Sequence, residues 1–219
     1  MTLWKPEPLW AEQDAFIIGG GDSLRTWDFT LLKNEHTVGC NQAFRLGPDI
    51  CDICVFGDKK FILDKKSPRV GFYDELEKFP NPTVTNDRHL AKYKIPWLTC
   101  MGRKVYGLSS LDEGTLGWNK NTGSTAINVA LLMGAKTIYL LGFDMFLTEG
   151  RPNWHDRLLD KPNEKIYVGM LPAFSHVKKD LAVKFPGRSI FNVTNKSNLN
   201  TFPKLSFNEF WNERSKHVA

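Results

Sequence analysis

Short apolar runs alternate with longer mixed stretches along this chain. Ala15-Phe-Ile-Ile-Gly-Gly-Gly21 is apolar and closes on three glycines. Asp22 or Ser23 then stands as the N-cap of a helix through Leu24 and Trp27. His36-Thr-Val-Gly-Cys40 and Ile50–Phe56 are further runs of the kind buried on both faces of a parallel sheet. Asn41-Gln42 follows the first of them and Gly57-Asp58 the second. From Lys59 to about Gly114 the pattern weakens, with Pro68, Pro80, Pro82 and Pro96 as breaks; helices are expected near 59–66, 73–79 and 86–92. Regularity returns at Thr122. Ser124–Met133 is almost wholly apolar and Gly134 closes it, so this helix is expected to lie beneath other elements. Thr137–Gly142 reads as a core strand, with Asp144 just past its carboxyl end. Residues 147–168 carry Pro, Asn, Gly and charges and predict a surface loop of a length that is uncommon unless functional. A helix from about Leu171 to Phe185, a strand Ser189–Val193 and a terminal helix from Ser206 complete the pattern.

Strands alternating with helices predict an α/β protein: a Rossmann-like, mainly parallel sheet flanked by helices, with the 147–168 loop acting as a lid. In such sheets ligands bind beyond the carboxyl ends of the strands. Asp22, Ser23, Asn41, Gln42, Asp58 and Asp144 all fall there. The 219 residues, 42% hydrophobic and 24% charged, suit one domain over 1–219 with a substantial core, and exclude a disordered or collagen-like chain. The N-terminal residues lack the basic-then-apolar pattern of a secretory signal, and no run approaches the ~18 apolar residues of a membrane span. Cys51 and Cys54 have C-x-x-C spacing but lie inside an apolar run with no second pair; they read as core thiols of a reduced, cytoplasmic protein. The net charge of +5 favours anionic ligands only mildly.

The turn Gly19-Gly20-Gly21-Asp22-Ser23-Leu24 invites comparison with the dinucleotide fingerprint G-x-G-x-x-G, but Leu24 occupies the third glycine position. Asn41-Gln42 stands where a nicotinamide enzyme places an acid for the ribose, so both features argue against NAD. Neither G-x-x-x-x-G-K-[ST] nor G-x-S-x-G occurs. Two readings of the glycines remain. Their N–H groups and the following helix start hold an anion, or they form a tight turn that needs positive φ.

Four segments occur in order: Gly19–Leu24, Gly39-Cys-Asn-Gln-Ala-Phe44, Thr122-Gly123 opening a helix, and Ile138-Tyr-Leu-Leu-Gly-Phe-Asp144. Together they resemble the bacterial sialyltransferases that modify lipooligosaccharide (glycosyltransferase family 42). They also resemble the broader group of motility accessory factors and archaeal hydroxymethylpterin pyrophosphokinases. Gly142-Phe-Asp-Met145 with Asn153-Trp-His155 is similar to small phage proteins of that group. The resemblance covers about residues 15–58 and 120–200. It implies Gly19, Gly20, Gly21 and Ser23 around the donor phosphate, with Asp22 in the same turn. It further implies Asn41 and Gln42 on the nucleotide or sugar, and Thr122, Gly123 and Ser124 beside the donor. The chain departs from the family pattern at Phe146, where a tyrosine is usual, and at Tyr167-Val-Gly169-Met170, where Tyr-x-Gly-His is usual.

Of the five histidines, His36, His89 and His217 are given no role. His176 lies in the predicted helix near the position of the family's base. His155 lies in the long loop and either acts as a general base, joins Asp144 or Asp156 on a metal, or pins the loop beside Trp154. Asp58 either binds ribose or a metal, or caps the helix starting at Lys59. No Asp-x-Asp triplet occurs, which favours a metal-independent mechanism. Lys59, Lys60, Lys65, Lys66 and Arg69 read as a solvated helix face rather than a nucleic-acid surface. Trp97, Trp118 and Trp154 either stack on a sugar or base or are buried. The leading expectation is glycosyl transfer from a CMP- or UDP-sugar donor to an acceptor, by a monomer or an oligomer, with Asp144 organising the site and His155 or His176 taking the hydroxyl proton. The alternatives are Mg²⁺-dependent pyrophosphoryl or nucleotidyl transfer, with Asp58 and Asp144 as oxygen ligands, and a nucleotide-binding regulator without catalysis.

Overall fold

The apolar runs lie edge to edge in a computed structural model that describes residues 6–63, 71–155, 163–206 and 210–211. The strands are β1 (Asp14–Ile18), β2 (His36–Cys40), β3 (Ile53–Phe56), β4 (Thr83–Thr85), β5 (Leu98–Cys100), β6 (Gly102–Lys104), β7 (Thr115–Gly117), β8 (Thr137–Leu141) and β9 (Ser189–Asn192). Seven of them form one sheet in the order β5-β4-β3-β2-β1-β8-β9, and every pairing is parallel. The chain therefore has the Rossmann-like α/β fold expected of its alternation. It moves outward from β1 to β5, then returns to lay β8 and β9 on the other side of β1. That reversal makes the β1–β8 boundary the switch point of the sheet. Ile18 pairs with Gly39 on one side and Leu141 on the other, so Gly19–Gly21, Asn41-Gln42 and Gly142–Asp144 emerge side by side.

Alternate residues of β1 serve opposite faces, as the period of two requires. Ala15 and Ile17 pack into a core with α2 (Thr122–Leu132) and α4 (Phe174–Lys184), while Phe16 and Ile18 face Leu24, Leu32 and Trp211. The expectation for α2 holds, since Ser124–Leu132 is buried throughout. Asn121 is its N-cap, with Oδ1 accepting from Ser124 N at 2.7 Å, and Gly134 (φ +96°) ends it. The buried Asn128 accepts from Ser109 N and Gly117 N and donates to Ser109 O, which locks the β6–β7 ribbon against α2.

The helices differ from expectation where side chains have other partners. After Gly21 there is one 3-10 turn, Asp22–Leu24, without a side-chain cap, because Ser23 bonds Asp144 and Asp22 bonds Arg25. Expected helix 86–92 is a 3-10 stretch (Arg88–Tyr93) capped by Asp87, and 73–79 contains α1 (Tyr73–Glu77). Of 59–66 only Lys59–Phe61 is a described 3-10 turn; Lys65, Lys66 and Arg69 lie outside the described residues. The helix expected from Leu171 starts earlier, as α3 (Lys165–Met170), where Asn163 Oδ1 accepts from Lys165 N, and passes through a 3-10 turn at Pro172 into α4. The predicted loop is correspondingly shorter. Of the terminal helix, Phe210 and Trp211 are helical, and Asp156 and His217 lie outside the described residues. Cys40, Cys51 and Cys54 are buried and free, and burial pushes the Cys40 thiol up to about 12, so they are core thiols. Among the described residues no helix is long and apolar enough to cross a membrane.

Candidate functional site

A cavity of about 340 Å³ opens over the carboxyl ends of β1, β2, β3 and β8. Nine of the residues singled out in the sequence line it: Gly19, Gly20, Gly21, Asn41, Gln42, Asp58, Thr122, Gly123 and His155. Asp22, Ser23, Ser124, Asp144 and His176 do not, and each has a different occupation.

The hydrogen bonds and dihedrals of the glycine turn bear on both readings. Gly19 N donates to Leu141 O and Gly21 N to Gly142 O, both at 2.8 Å, while Ser23 N donates to Asp144 Oδ2 at 2.8 Å. These three amides are committed to the end of β8 and are not open to an anion. Nor do the glycines supply positive φ; that belongs to Gly142 across the boundary (φ +67°). What they supply is closeness. A Cβ on Gly19 would stand 2.6 Å from Gly142 O, and one on Gly21 would stand 2.2 Å from Asp144 Oδ1.

Asp144 is 1% exposed, and both its oxygens accept from Ser23, the hydroxyl at 2.6 Å. Burial raises its carboxyl above the usual range against the lowering effect of the Ser23 bonds. It therefore ties the β1 turn to β8 and does not face the cavity as a metal ligand. Asp22 is also buried. Burial alone would raise its carboxyl, but bonds from Arg151 and Arg25 outweigh that and hold it below the usual range. Arg25 also donates to Asn153 O at 3.0 Å, Trp154 N to Gly20 O at 2.9 Å and Trp154 Nε1 to Gly19 O at 3.0 Å. The start of the expected lid is thus stapled to the glycine turn, which sets Pro152, Asn153 and His155 in the cavity wall.

The opposing chemistry comes from α2. Its first-turn N–H groups, at Thr122 and Gly123, have no intrahelical carbonyl to bond, and both residues line the cavity. Gly123 is needed because a Cβ there would stand 2.6 Å from the Phe143 ring. Ser124 is structural, its Oγ donating to Trp118 O at 2.8 Å. Thr122 Oγ1 lies 3.5 Å from Asn41 Oδ1. Asn41 (φ 53°), Lys120 (φ 61°) and Met145 (φ 60°) all line the cavity in left-handed backbone, a conformation that costs on the order of 1–3 kcal/mol each and clusters at functional sites.

Asp58 is exposed on the cavity wall and makes no capping bond; Asp87 Oδ2 accepts from Lys59 N instead. His176 is exposed on α4 with its ring 4.9 Å from Tyr106, outside the cavity lining. Of the tryptophans, Trp97 packs on Tyr73, Trp154 pins the loop, and Trp118 lines the cavity. Sequence reasoning missed Lys60, Lys120, Tyr167 and Met170 in the lining. Lys60, expected on a solvated face, sits four residues past the β3 end and lines the cavity with Asp58. Burial, then the nearby Asp144 and Glu164 carboxylates, push the Tyr167 phenol up, so it stands as a neutral hydrogen-bond donor. Met170 occupies the cavity where the resembling family carries histidine. Among the described residues no group of three or more His, Cys, Asp or Glu is placed to hold a metal.

No protein-family model matches the chain, and no curated protein matches it by sequence. Solved structures do. The sialyltransferase CstII from Campylobacter jejuni in complex with the substrate analogue CMP-3FNeuAc is 15% identical, with a TM-score of 0.51 over 88% of this chain and 86% of that one. CstII in complex with cytidine-5'-monophosphate is 16% identical, with a TM-score of 0.52 over 90% of this chain and 86% of that one. The chain shares the fold of these sialyltransferase structures.

Proposed function

We propose that the protein is a glycosyltransferase-like enzyme acting on a nucleotide-activated sugar donor of the CMP or UDP type, without need of a metal. The observation that carries this reading is the convergence on one strand-end cavity of the α2 N-terminus, Thr122, two lysines and the Asn41-Gln42 amides. A helix N-terminus and ammonium groups hold a phosphate, and amide side chains read a neutral base or sugar through paired donors and acceptors. The neighbouring fold in CstII carries CMP and a CMP-sugar analogue, which supports the same class of donor here. As the sugar–phosphate bond breaks, negative charge grows on the phosphate. Fixed N–H donors of Thr122 and Gly123 with Lys120 and Lys60 would stabilise it, and Tyr167 would add a neutral phenol. His155 would take the acceptor proton from the loop wall. The pyrophosphokinase alternative loses support because both oxygens of Asp144 are taken by Ser23.

Thermal shift tests the reading. A ligand at about 100-fold its Kd stabilises the native state by about 2.7 kcal/mol. CMP or UMP should therefore raise Tm without Mg²⁺, and Thr122→Val with Lys120→Gln should abolish the rise. Absence of a shift with every nucleotide at millimolar concentration would sink the proposal.

A further inference from the structure

The junction of β1 with β8 is closed by the amides of Gly19 and Gly21 and by the two bonds between Ser23 and Asp144. A second set of bonds beside it reaches residues 148–154, none of them in a strand of the sheet. Thr148 and Arg151 exchange backbone bonds at 2.9 and 2.8 Å. Between them stand Glu149 (φ 50°) and Gly150 (φ 80°), the left-handed pair of a two-residue hairpin turn. That turn presents Arg151 to Asp22, whose Oδ1 accepts from Nε at 3.2 Å and whose Oδ2 accepts from Nη2 at 3.3 Å. Arg25 completes the unit, donating through Nε to Asp22 Oδ1 at 2.8 Å and through Nη2 to Asn153 O at 3.0 Å.

All four residues before His155 are thereby fixed, each in its own way. Asp22 holds the side chain of Arg151, the pyrrolidine ring fixes φ at Pro152, and Arg25 holds the carbonyl of Asn153. Trp154 donates from its backbone to Gly20 O and from its indole to Gly19 O, with the Phe29 ring 5.2 Å away. At the centre is a carboxylate only 8% exposed, gripped by two guanidiniums whose rigid forks set direction as well as charge. Asp22 is outside the cavity lining, whereas Pro152, Asn153 and His155 belong to it. The sheet closes without this second set, so the set is explained by the wall residues that the segment carries.

We infer that Asp22 is a positioning residue for His155: through Arg151 and Arg25 it fixes the 151–154 segment, and so the place of the imidazole in the cavity wall. The inference rests on the reading of His155 as the base and deepens it. A base must stand within hydrogen-bond reach of the acceptor hydroxyl, and a displacement of about 1 Å can cost about 10²-fold in rate. Asp22 touches neither donor nor acceptor, so its loss should fall on kcat and spare donor binding.

Asp22→Asn and Arg151→Gln test this together. The second leaves Arg25 on Asp22 and therefore no buried charge unpaired. By NMR, the His155 ring signal of the wild type is displaced by the Trp154 ring, 5.1 Å away at an interplanar angle of 78°. It should move toward that of an exposed histidine in both variants, while His176 keeps its own signal. With a CMP-sugar donor, both variants should lower kcat by about ten- to hundredfold and keep the donor KM within about twofold. In a His155→Ala background neither should lower the residual rate further, because both act through that residue. A His155 signal unmoved in both variants overturns the inference whatever the reaction, as does a rate loss that persists undiminished without His155. Turnover that is absent from the wild type, or that survives His155→Ala, removes the base and with it the part of Asp22 in catalysis.

Discussion

Gly21 and Asp144 show how one missing carbon can decide a junction. The turn after β1 approaches the β8 end so closely that a Cβ on Gly21 would meet Asp144 Oδ1 at 2.2 Å and Gly142 O at 2.6 Å, neither of which can move freely. Gly21→Ala should therefore destabilise the fold by about 1–3 kcal/mol or more, as overpacking does in well-packed interiors. Gly20→Ala should cost less, because its Cβ meets only Asn153 Oδ1, the end of a side chain that can rotate. Urea denaturation of the two variants checks the order; equal losses would contradict the account. The three glycines were legible in the sequence as a special turn, but their cause was not. It depends on residues about 120 positions away, and no local pattern reports a contact of that span.

The long elements were readable and the short ones were not. β1, β2, β8 and α2 carry apolar runs long enough to show their period, whereas β4 to β7 have three residues each, too few for a periodicity to emerge. The β6–β7 ribbon was missed for that reason, and with it Lys120's place in the cavity. The ribbon is held to α4 by Glu113, which accepts from Lys184 at 2.6 Å and Lys104 at 2.9 Å. Partial burial opposes ionisation of Glu113, but the bonds from Lys184, Ser110 and Lys104 prevail and bring its carboxyl to about 2, below the ordinary 4.5. A depressed carboxyl contributes stability above its unfolded value and loses it as pH falls through the folded one. The Tm difference between wild type and Glu113→Gln should thus be full at pH 7 and shrink between about 4.5 and about 2. A difference that is constant with pH would rule out the ion pairs as its source.

Across the molecule, the net charge of +5 says little by itself, but the cavity gathers Lys60 and Lys120 where backbone donors and amides already converge. The site draws on residues 19–61, 118–123 and 142–170, so it exists only in the assembled sheet. Its placement also separates the two candidate bases. His155 stands in the wall, pinned through Trp154 to Gly19 and Gly20, while His176 packs at a tilt against Tyr106 outside the lining. With a CMP-sugar donor, His155→Ala should retain the nucleotide-induced Tm rise and lose turnover by about 10²–10⁴-fold, the usual contribution of a general base. His176→Ala should keep both. Turnover that survives His155→Ala would remove that residue from the mechanism.

The strand order has one more consequence, for the way the chain is made. β1 is an interior strand of the finished sheet, yet its β8 neighbour follows more than a hundred residues later. Until that stretch leaves the ribosome, a nascent sheet of β1 to β5 presents β1 as an open edge, with a row of unpaired N–H and C=O groups flanked by Phe16, Ile17 and Ile18. A ribosome that stalls before residue 137 would leave a sticky fragment that pairs with its own copies, and chaperone demand should peak in that window of synthesis.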